Sequence, residues 1–201
     1  MTDENKNFYN IFFKLLILFF LVRAVVFFLN ISPEPSNLPQ QWQVLDLELL
    51  HKNFLKSLYY LHYQPPIWNF IIGLIVKVVG PDYNLILIIM HFFNLCLSIL
   101  NIFIFLKICN FFSLNKIKIY ICFFIFIIFS LSYIFYENYI HYTHLTSSIY
   151  LLLILNFLNF STTKKFCYEI FIYFCSLLLV YTWTVFSHPF FIILIFGTII
   201  L

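Results

Sequence analysis

The sequence predicts an all-α fold: a polytopic transmembrane helix bundle, with an extracytoplasmic loop of juxtamembrane helices between the first two spans. Hydrophobic residues make up 63% of the 201 residues and charged residues only 9%, whereas soluble domains are about 25% charged. Apolar runs of about 18 residues, long enough to cross a bilayer, recur along the chain. We therefore expect an integral, multi-pass membrane protein that forms a single transmembrane domain.

The apolar runs predict about six spans, with a polar outer loop over residues 30–82. The first run has no small-residue cleavage site, which favours a retained helix over a signal peptide. The last run reaches the end of the sequence without a polar cap, so we expect the chain to be the amino-terminal part of a longer or truncated protein. The runs cover residues 8–29, 83–106, 119–136, 145–160, 166–186 and 190–201.

The side of the membrane follows from the lysines. Residues 65–80 are apolar, but Pro81 and Asp82 close this run at a length that is marginal for crossing. If it does not cross, the lysines at 107–118 and at 164–165 lie on the same side as the amino terminus, as the positive-inside rule requires. We therefore predict a re-entrant or juxtamembrane helix. The outer face then collects Asp46, Glu48, His62, Gln64, Glu137, His141, His144 and His188.

The outer loop contains the first group of candidate functional residues. Apolar and polar residues alternate from Gln40 to Leu58, which is typical of one or two short helices lying on the membrane surface. Asp46 and Glu48 belong to this segment, and the polar motif His62-Tyr63-Gln64-Pro65-Pro66 follows it. A carboxylate near such a motif suits acid–base chemistry. The alternative is a solvated amphipathic loop without chemistry.

A second group lies at the predicted outer end of a later helix. Glu137, His141 and His144 share one helix face through their spacing of four and three residues. They suit either a divalent metal ion or hydrogen bonds to a polar ligand, and the sequence leaves both readings open.

Two further features lie within the predicted spans. Arg23, near the outer end of the first span, either reaches the lipid headgroups or faces the bundle as a cation. On the second span, a polar stripe of residues spaced three, four and three apart must face other helices and not lipid. The stripe consists of His91, Asn94, Ser98 and Asn101. Hydrogen bonding between helices, without chemistry, is its simplest explanation.

Several classes of function find no support. The chain has no G-x-G-x-x-G, P-loop, H-E-x-x-H or G-x-S-x-G motif. A soluble nucleotide-sugar or ATP site is therefore not indicated, and no nucleic-acid partner is expected. A substrate that arrives within the membrane, on the outer side, fits the distribution of polar residues better.

Two motifs carry a family resemblance. The first is His-x-Gln-Pro-Pro-x-x-Asn over residues 62–69, and the second is Tyr-Glu-Asn-x-x-x-Tyr over residues 136–142. With the first helix and the acidic outer loop, they resemble the amino-terminal portion of GT-C type integral membrane glycosyltransferases. Among these, the chain is similar to protein O-mannosyltransferases, of glycosyltransferase family 39.

The resemblance implies transfer of a sugar from a polyprenyl-phosphate donor to a lipid, glycan or protein acceptor. The reaction would take place on the extracytoplasmic side of a bacterial cell membrane. The resemblance places the catalytic base at Asp46, with Glu48 as the competing acid. The candidate substrate-binding residues are Arg23, Glu48, His62, Gln64, Glu137, Asn138, His141 and Tyr142.

Two rival interpretations remain open. The first is a non-catalytic membrane protein, either a lipid or small-molecule transporter or a subunit of a complex. Its signature would be charges or broken helices in the middle of the membrane. The second is a truncated remnant that keeps the fold without activity.

Overall fold

A computed structural model describes residues 3–29, 44–60, 65–125, 130, 133–134 and 141–182. Within these residues the secondary structure is helical, without a strand, which confirms the predicted all-α fold. The helices are α1 (Asp3–Phe28), α2 (Leu47–Tyr59), α3 (Pro66–Val79), α4 (Tyr83–Phe111), α5 (Lys116–Phe123), α6 (Thr143–Thr163) and α7 (Phe166–Thr182).

Three of the described helices are long and apolar enough to cross a membrane. They cover Asn5–Phe28 of α1, Tyr83–Phe111 and Thr143–Thr163. Their outward surfaces are apolar as well: Phe13 and Ile17 on α1 are 58% and 61% exposed. A helix that is apolar on all sides is suited to lipid and not to water.

The other two apolar helices are shorter. Helix α3 has 14 residues, which corresponds to about 21 Å at 1.5 Å per residue, whereas the hydrocarbon layer is about 30 Å thick. Helix α7 has 17 described residues. Helix α5 begins the run predicted over 119–136; most of the rest of that run, and all of 190–201, lie outside the described residues.

Helix α4 is the element around which the bundle is arranged, since it contacts α1, α3 and α6. On one side, Phe8, Leu15 and Phe19 of α1 are buried with Ile102 and Leu106 of α4. Near the amino-terminal end of α4, Ile86 and Met90 are buried against α2 and α3. Helices α6 and α7 form a third apolar cluster of their own.

Short polar side chains set where the helices begin. Asp82 accepts hydrogen bonds from the backbone N–H groups of Asn84 and Leu85, at 2.9 and 3.2 Å, and so caps α4. Asn115 caps α5 in the same way through the N–H of Lys118. These bonds satisfy N–H groups that a helix leaves without partners in its first turn. Gly80, at φ 80°, ends α3 in a conformation that favours glycine.

Helices α2 and α3 pack closely at Gly73. A methyl group at this position would overlap the ring of Phe54 and lie 3.3 Å from Leu50. Helix α2 is kinked at Asn53, next to Phe54. The close approach of α2 and α3 therefore depends on the absence of a side chain at Gly73.

We expect Gly73→Ala to lower the stability of the detergent-solubilised protein by about 1–3 kcal/mol, because added volume in a packed interface forces side chains apart. The measurement is the midpoint of thermal unfolding. Leu74→Ala, at an exposed position of the same helix, is the control and should change the midpoint less. In a Phe54→Leu background the cost of Gly73→Ala should shrink; an equal cost in both backgrounds would contradict this account.

Candidate functional site

The entry to α2 carries the candidate base. Asp46 is the N-cap of α2, and its Oδ1 accepts a hydrogen bond from the backbone N–H of Leu49 at 3.0 Å. The residue is exposed, and its backbone is not helical, at φ −52° and ψ 125°. Glu48, inside the first turn, is exposed as well and pairs with Lys52 at 3.1 Å. Only Asp46 is therefore held in a fixed direction by a bond to the backbone.

The start of α2 is tied to the start of α3 by Asn69. The side-chain Oδ1 of Asn69 accepts from the backbone N–H of Leu45 at 2.7 Å, and its Nδ2 donates to the carbonyl oxygen of Pro65 at 3.0 Å. Asn69 is fully buried. The segment that carries Asp46 is thus joined to Pro65, the first described residue of the Gln-Pro-Pro motif.

Next to this junction lies the α2–α3 cluster, which includes a residue from a distant part of the sequence. We give this name to the buried set Leu47, Leu50, Trp68, Ile72, Val76, Ile86, Leu87, Met90 and Tyr142. Tyr142 was predicted from sequence as a substrate-binding residue, and it shares the cluster with Leu47, the neighbour of Asp46. His141 stacks on Tyr142, with ring centroids 4.4 Å apart. Three separated stretches of the predicted outer face therefore meet here.

His141 also fixes the beginning of α6. Its Nδ1 accepts from the backbone N–H of Thr143 at 3.2 Å and contacts the Thr143 hydroxyl. Burial lowers the pKa of His141 from 6.5 to about 4. A proton on Nδ1 would remove the acceptor for this N–H and add positive charge at the amino-terminal end of a helix dipole. The geometry therefore favours the neutral imidazole.

A second group of polar residues lies inside the bundle. Asn94, Ser98 and Asn101 of the α4 stripe are at most 1% exposed, which confirms for these three that the stripe faces other helices. The hydroxyl of Ser98 donates to the Asn94 carbonyl at 3.1 Å and meets Nε2 of His144 at 2.8 Å. Because a hydroxyl has one hydrogen, Ser98 can donate to only one of these two partners at a time.

Arg23 belongs to the same group. Its guanidinium carbon lies 4.3 Å from the ring centroid of Phe19 and 5.9 Å from that of Tyr133. Tyr133 in turn contacts the ring of His144, with centroids 4.6 Å apart, and its hydroxyl accepts from Nδ2 of Asn101 at 3.2 Å. The position of Arg23 supports the interpretation in which its guanidinium faces the bundle and does not reach the lipid headgroups. We call Arg23, Ser98, Asn101, Tyr133 and His144 the polar core.

The predicted site residues thus fall into four groups. Asp46, His141 and Tyr142 lie around the α2–α3 cluster, while Arg23 lies in the polar core. Glu48 is near Asp46 in sequence but bonds to Lys52. His62, Gln64, Glu137 and Asn138 lie outside the described residues, as does His188.

The structure adds residues that sequence reasoning did not select as site residues. Asn69 is the last residue of the His-x-Gln-Pro-Pro-x-x-Asn motif, so its position in the motif was the available signal. Tyr133 is one of many aromatic residues in the chain, and no spacing singled it out.

The metal hypothesis concerns Glu137, His141 and His144. Within the described ranges, no group of three or more histidine, cysteine, aspartate or glutamate side chains is arranged to hold a metal ion, and Glu137 is not among them. His141 Nδ1 and His144 Nε2 already bond to Thr143 and Ser98. A metal ion would therefore have to be bound by the other nitrogen of each ring, Nε2 of His141 and Nδ1 of His144.

Comparison of the chain with protein-family models, with curated proteins and with solved structures finds no match.

The His141 geometry predicts a pH dependence. Its pKa in the folded protein, about 4, lies below its ordinary value of 6.5, so the unfolded chain binds the proton more readily between these values. Stability from His141 is therefore complete above pH 6.5 and is lost as the pH falls toward 4. The measurement is the thermal unfolding midpoint against pH, compared with that of His141→Gln, which cannot titrate. Since carboxylates also titrate in this range, the difference between the two curves is the test. Parallel curves from pH 7 to pH 4 would contradict the assignment.

Proposed function

We propose that the chain belongs to a membrane glycosyltransferase. It would move a sugar from a polyprenyl-phosphate donor to a lipid, glycan or protein acceptor, on the extracytoplasmic side of a cell membrane. The observation that supports this most is the gathering of Asp46, Pro65 and Tyr142 around one cluster. These residues come from the three stretches that carry the family resemblance, and the fold brings them to one end of α4.

The proposed reaction is a single displacement. A carboxylate oxygen of Asp46 accepts the proton of the acceptor hydroxyl while that oxygen attacks the anomeric carbon of the donor sugar. The bond between the anomeric carbon and the phosphate oxygen breaks, and the polyprenyl phosphate leaves as an anion. The exposed carboxylate is accessible to an acceptor, and the bond to the Leu49 N–H fixes one of its oxygens.

The leaving phosphate needs cations or strong hydrogen-bond donors. Among the described outer residues, Lys52 and Lys56 on α2 are exposed, and Lys52 already pairs with Glu48. Arg23 has the fork geometry that suits a phosphate, and its position in the polar core holds the guanidinium within the bundle. We propose Arg23 as the cation that meets the lipid phosphate.

The orientation in the membrane is part of this proposal. It rests on the lysines of the connecting segments and on the short length of α3. A cysteine introduced by Glu48→Cys, in a background without the five native cysteines, should react with a membrane-impermeant thiol reagent in whole cells. A cysteine introduced by Lys165→Cys should not. The opposite pattern would place the site on the cytoplasmic side.

A divalent metal ion bound by Glu137, His141 and His144 is proposed as a further contribution at this end of α6. Loss of sugar transfer in EDTA, with recovery on adding Mg²⁺ or Mn²⁺, would support it.

A second candidate function follows from the polar core. Arg23 and His144 lie within helices that are long enough to cross a membrane, where ionisable groups usually mark a pathway or a binding site. The Oδ1 of Asn101 is buried without a hydrogen-bond partner in the described part of the chain. This arrangement is compatible with a transporter of a polar molecule, or with a subunit that pairs through its helices.

The proposal predicts that Asp46→Asn lowers sugar transfer by about 100-fold or more, because the base is lost. Asparagine is also a good N-cap, so the helix and the protein's stability should be retained. Glu48→Gln loses only an exposed ion pair, worth little, and is the matched control. The measurement is release of undecaprenyl phosphate from undecaprenyl-phosphate mannose, in membranes from cells that express the gene in full.

Near-normal turnover in Asp46→Asn, together with loss of turnover in Glu48→Gln, would assign the role of base to Glu48. If neither variant changes turnover, the outer loop is not catalytic. If the wild-type protein transfers no sugar but moves lipid or solute across vesicles, the transporter is favoured.

A further inference from the structure

The side chain of Asn69 is the only described side-chain bridge between the entry to α2 and the entry to α3. Its partners are backbone groups of Leu45, 24 residues away, and of Pro65 in the preceding loop. Leu45 directly precedes the N-cap Asp46, and Pro65 directly precedes α3. One amide group therefore constrains both chain segments that border the proposed site.

The two bonds use the amide in only one orientation. The Leu45 N–H can only donate, so it needs the carbonyl oxygen of Asn69; the Pro65 carbonyl can only accept, so it needs the NH₂ group. Leucine, of similar size, offers neither group and would leave the partly buried Leu45 N–H without its partner. Aspartate keeps an acceptor for Leu45 but has no donor for Pro65 when it is ionised.

The two hydrogen bonds of Asn69 also restrict the direction in which the candidate base, Asp46, can point. Asp46 is joined on its carboxyl-terminal side to α2 through the Leu49 N–H, and Asn69 holds the residue before it. Leu47, the residue after it, is buried in the α2–α3 cluster. Asp46, whose carboxylate is exposed, is thus constrained by its own cap bond and by the contacts of both neighbouring residues.

We propose that Asn69 is a positioning residue, which sets the place of Asp46 relative to the Pro65–Pro66 end of the motif. This inference rests on the proposed function. Small displacements of a reacting group reduce rates by up to about 100-fold, without any change in the residue that performs the chemistry. Asn69 acts through Asp46 and does not itself meet the substrate.

The bridge is tested first without any activity. In the purified protein, hydrogen exchange of peptides covering residues 44–49 should be about 10-fold faster or more in Asn69→Leu, because the Leu45 N–H loses its acceptor. Asn69→Asp should keep much of the protection of this N–H. The matched control is Asn156→Leu: Asn156 is half-buried, and its amide bonds only within α6, to the Leu152 carbonyl at 2.8 Å. Unchanged exchange at residues 44–49 in Asn69→Leu would overturn the proposal.

The consequence for the reaction is tested with undecaprenyl-phosphate mannose, in membranes from cells that express the gene in full. Asn69→Leu should lower kcat by about 10- to 100-fold and leave KM for the donor within about 2-fold, the pattern of an interaction that matters in the transition state. A variant that merely lost folded protein would also lose protection from exchange throughout α4 and α6. In Asn69→Leu, by contrast, exchange in α4 and α6 should stay at the wild-type rate. Asn69→Asp should recover part of kcat, and Asn156→Leu should match the wild type.

Each failure has a separate signature. Wild-type transfer with an unchanged kcat in Asn69→Leu overturns the role of Asn69 alone. A raised KM with an unchanged kcat assigns Asn69 to donor binding and also overturns it. Absence of transfer by the wild-type protein, both from undecaprenyl-phosphate mannose and from undecaprenyl-phosphate donors of other sugars, overturns the proposed function, and with it the catalytic role of Asn69, whatever the exchange experiment gives.

Discussion

Polar groups in a lipid environment must find their partners within the protein, because lipid tails offer no hydrogen bonds. Helix α4 has three fully buried polar side chains along one face, and this requirement determines what can pack against it. His144 brings α6 to Ser98, and Tyr133 meets Asn101. The apolar clusters add burial around these bonds, but apolar contact alone does not choose between helix faces in lipid. The polar face of α4 therefore contributes to how α6 packs against it.

The same helix separates two chemically different regions. Its amino-terminal turns, at Ile86 and Met90, pack in the α2–α3 cluster, next to the segment that carries the exposed carboxylate of Asp46. Further along, the stripe meets the imidazole of His144 and the hydroxyl of Tyr133, whose ring lies 5.9 Å from the guanidinium carbon of Arg23. A transferase that takes its donor from the membrane needs both: an exposed base for the acceptor and a cation for the lipid phosphate. A transporter needs only the second, which is why the behaviour of Asp46 distinguishes the two functions.

The parts of this fold that could be predicted from sequence are those that depend on composition and period. The apolar runs predicted the all-α fold, and α1, α4 and α6 lie within or close to three of the predicted runs. The spacing of Asn94, Ser98 and Asn101 predicted a buried face. What could not be predicted is which partner each residue meets. The pairing of Ser98 with His144 joins residues 46 positions apart, and no local pattern specifies such a pair. The alternation from Gln40 to Leu58 placed Asp46 in a segment of short helices, but it did not show that Asp46 precedes α2 as its cap and is not part of the helix.

Asp46 has two roles in the proposed function, as the cap of α2 and as the proposed base. The cap bond and the neighbouring bridge from Asn69 to Leu45 restrict where the carboxylate can point. In a reaction in which proton transfer accompanies attack on the anomeric carbon, the alignment of base, hydroxyl and sugar contributes to the rate. The geometry at the start of α2 restricts the base in this way, and for that reason we propose that the amide of Asn69 matters to the chemistry as well as to the fold.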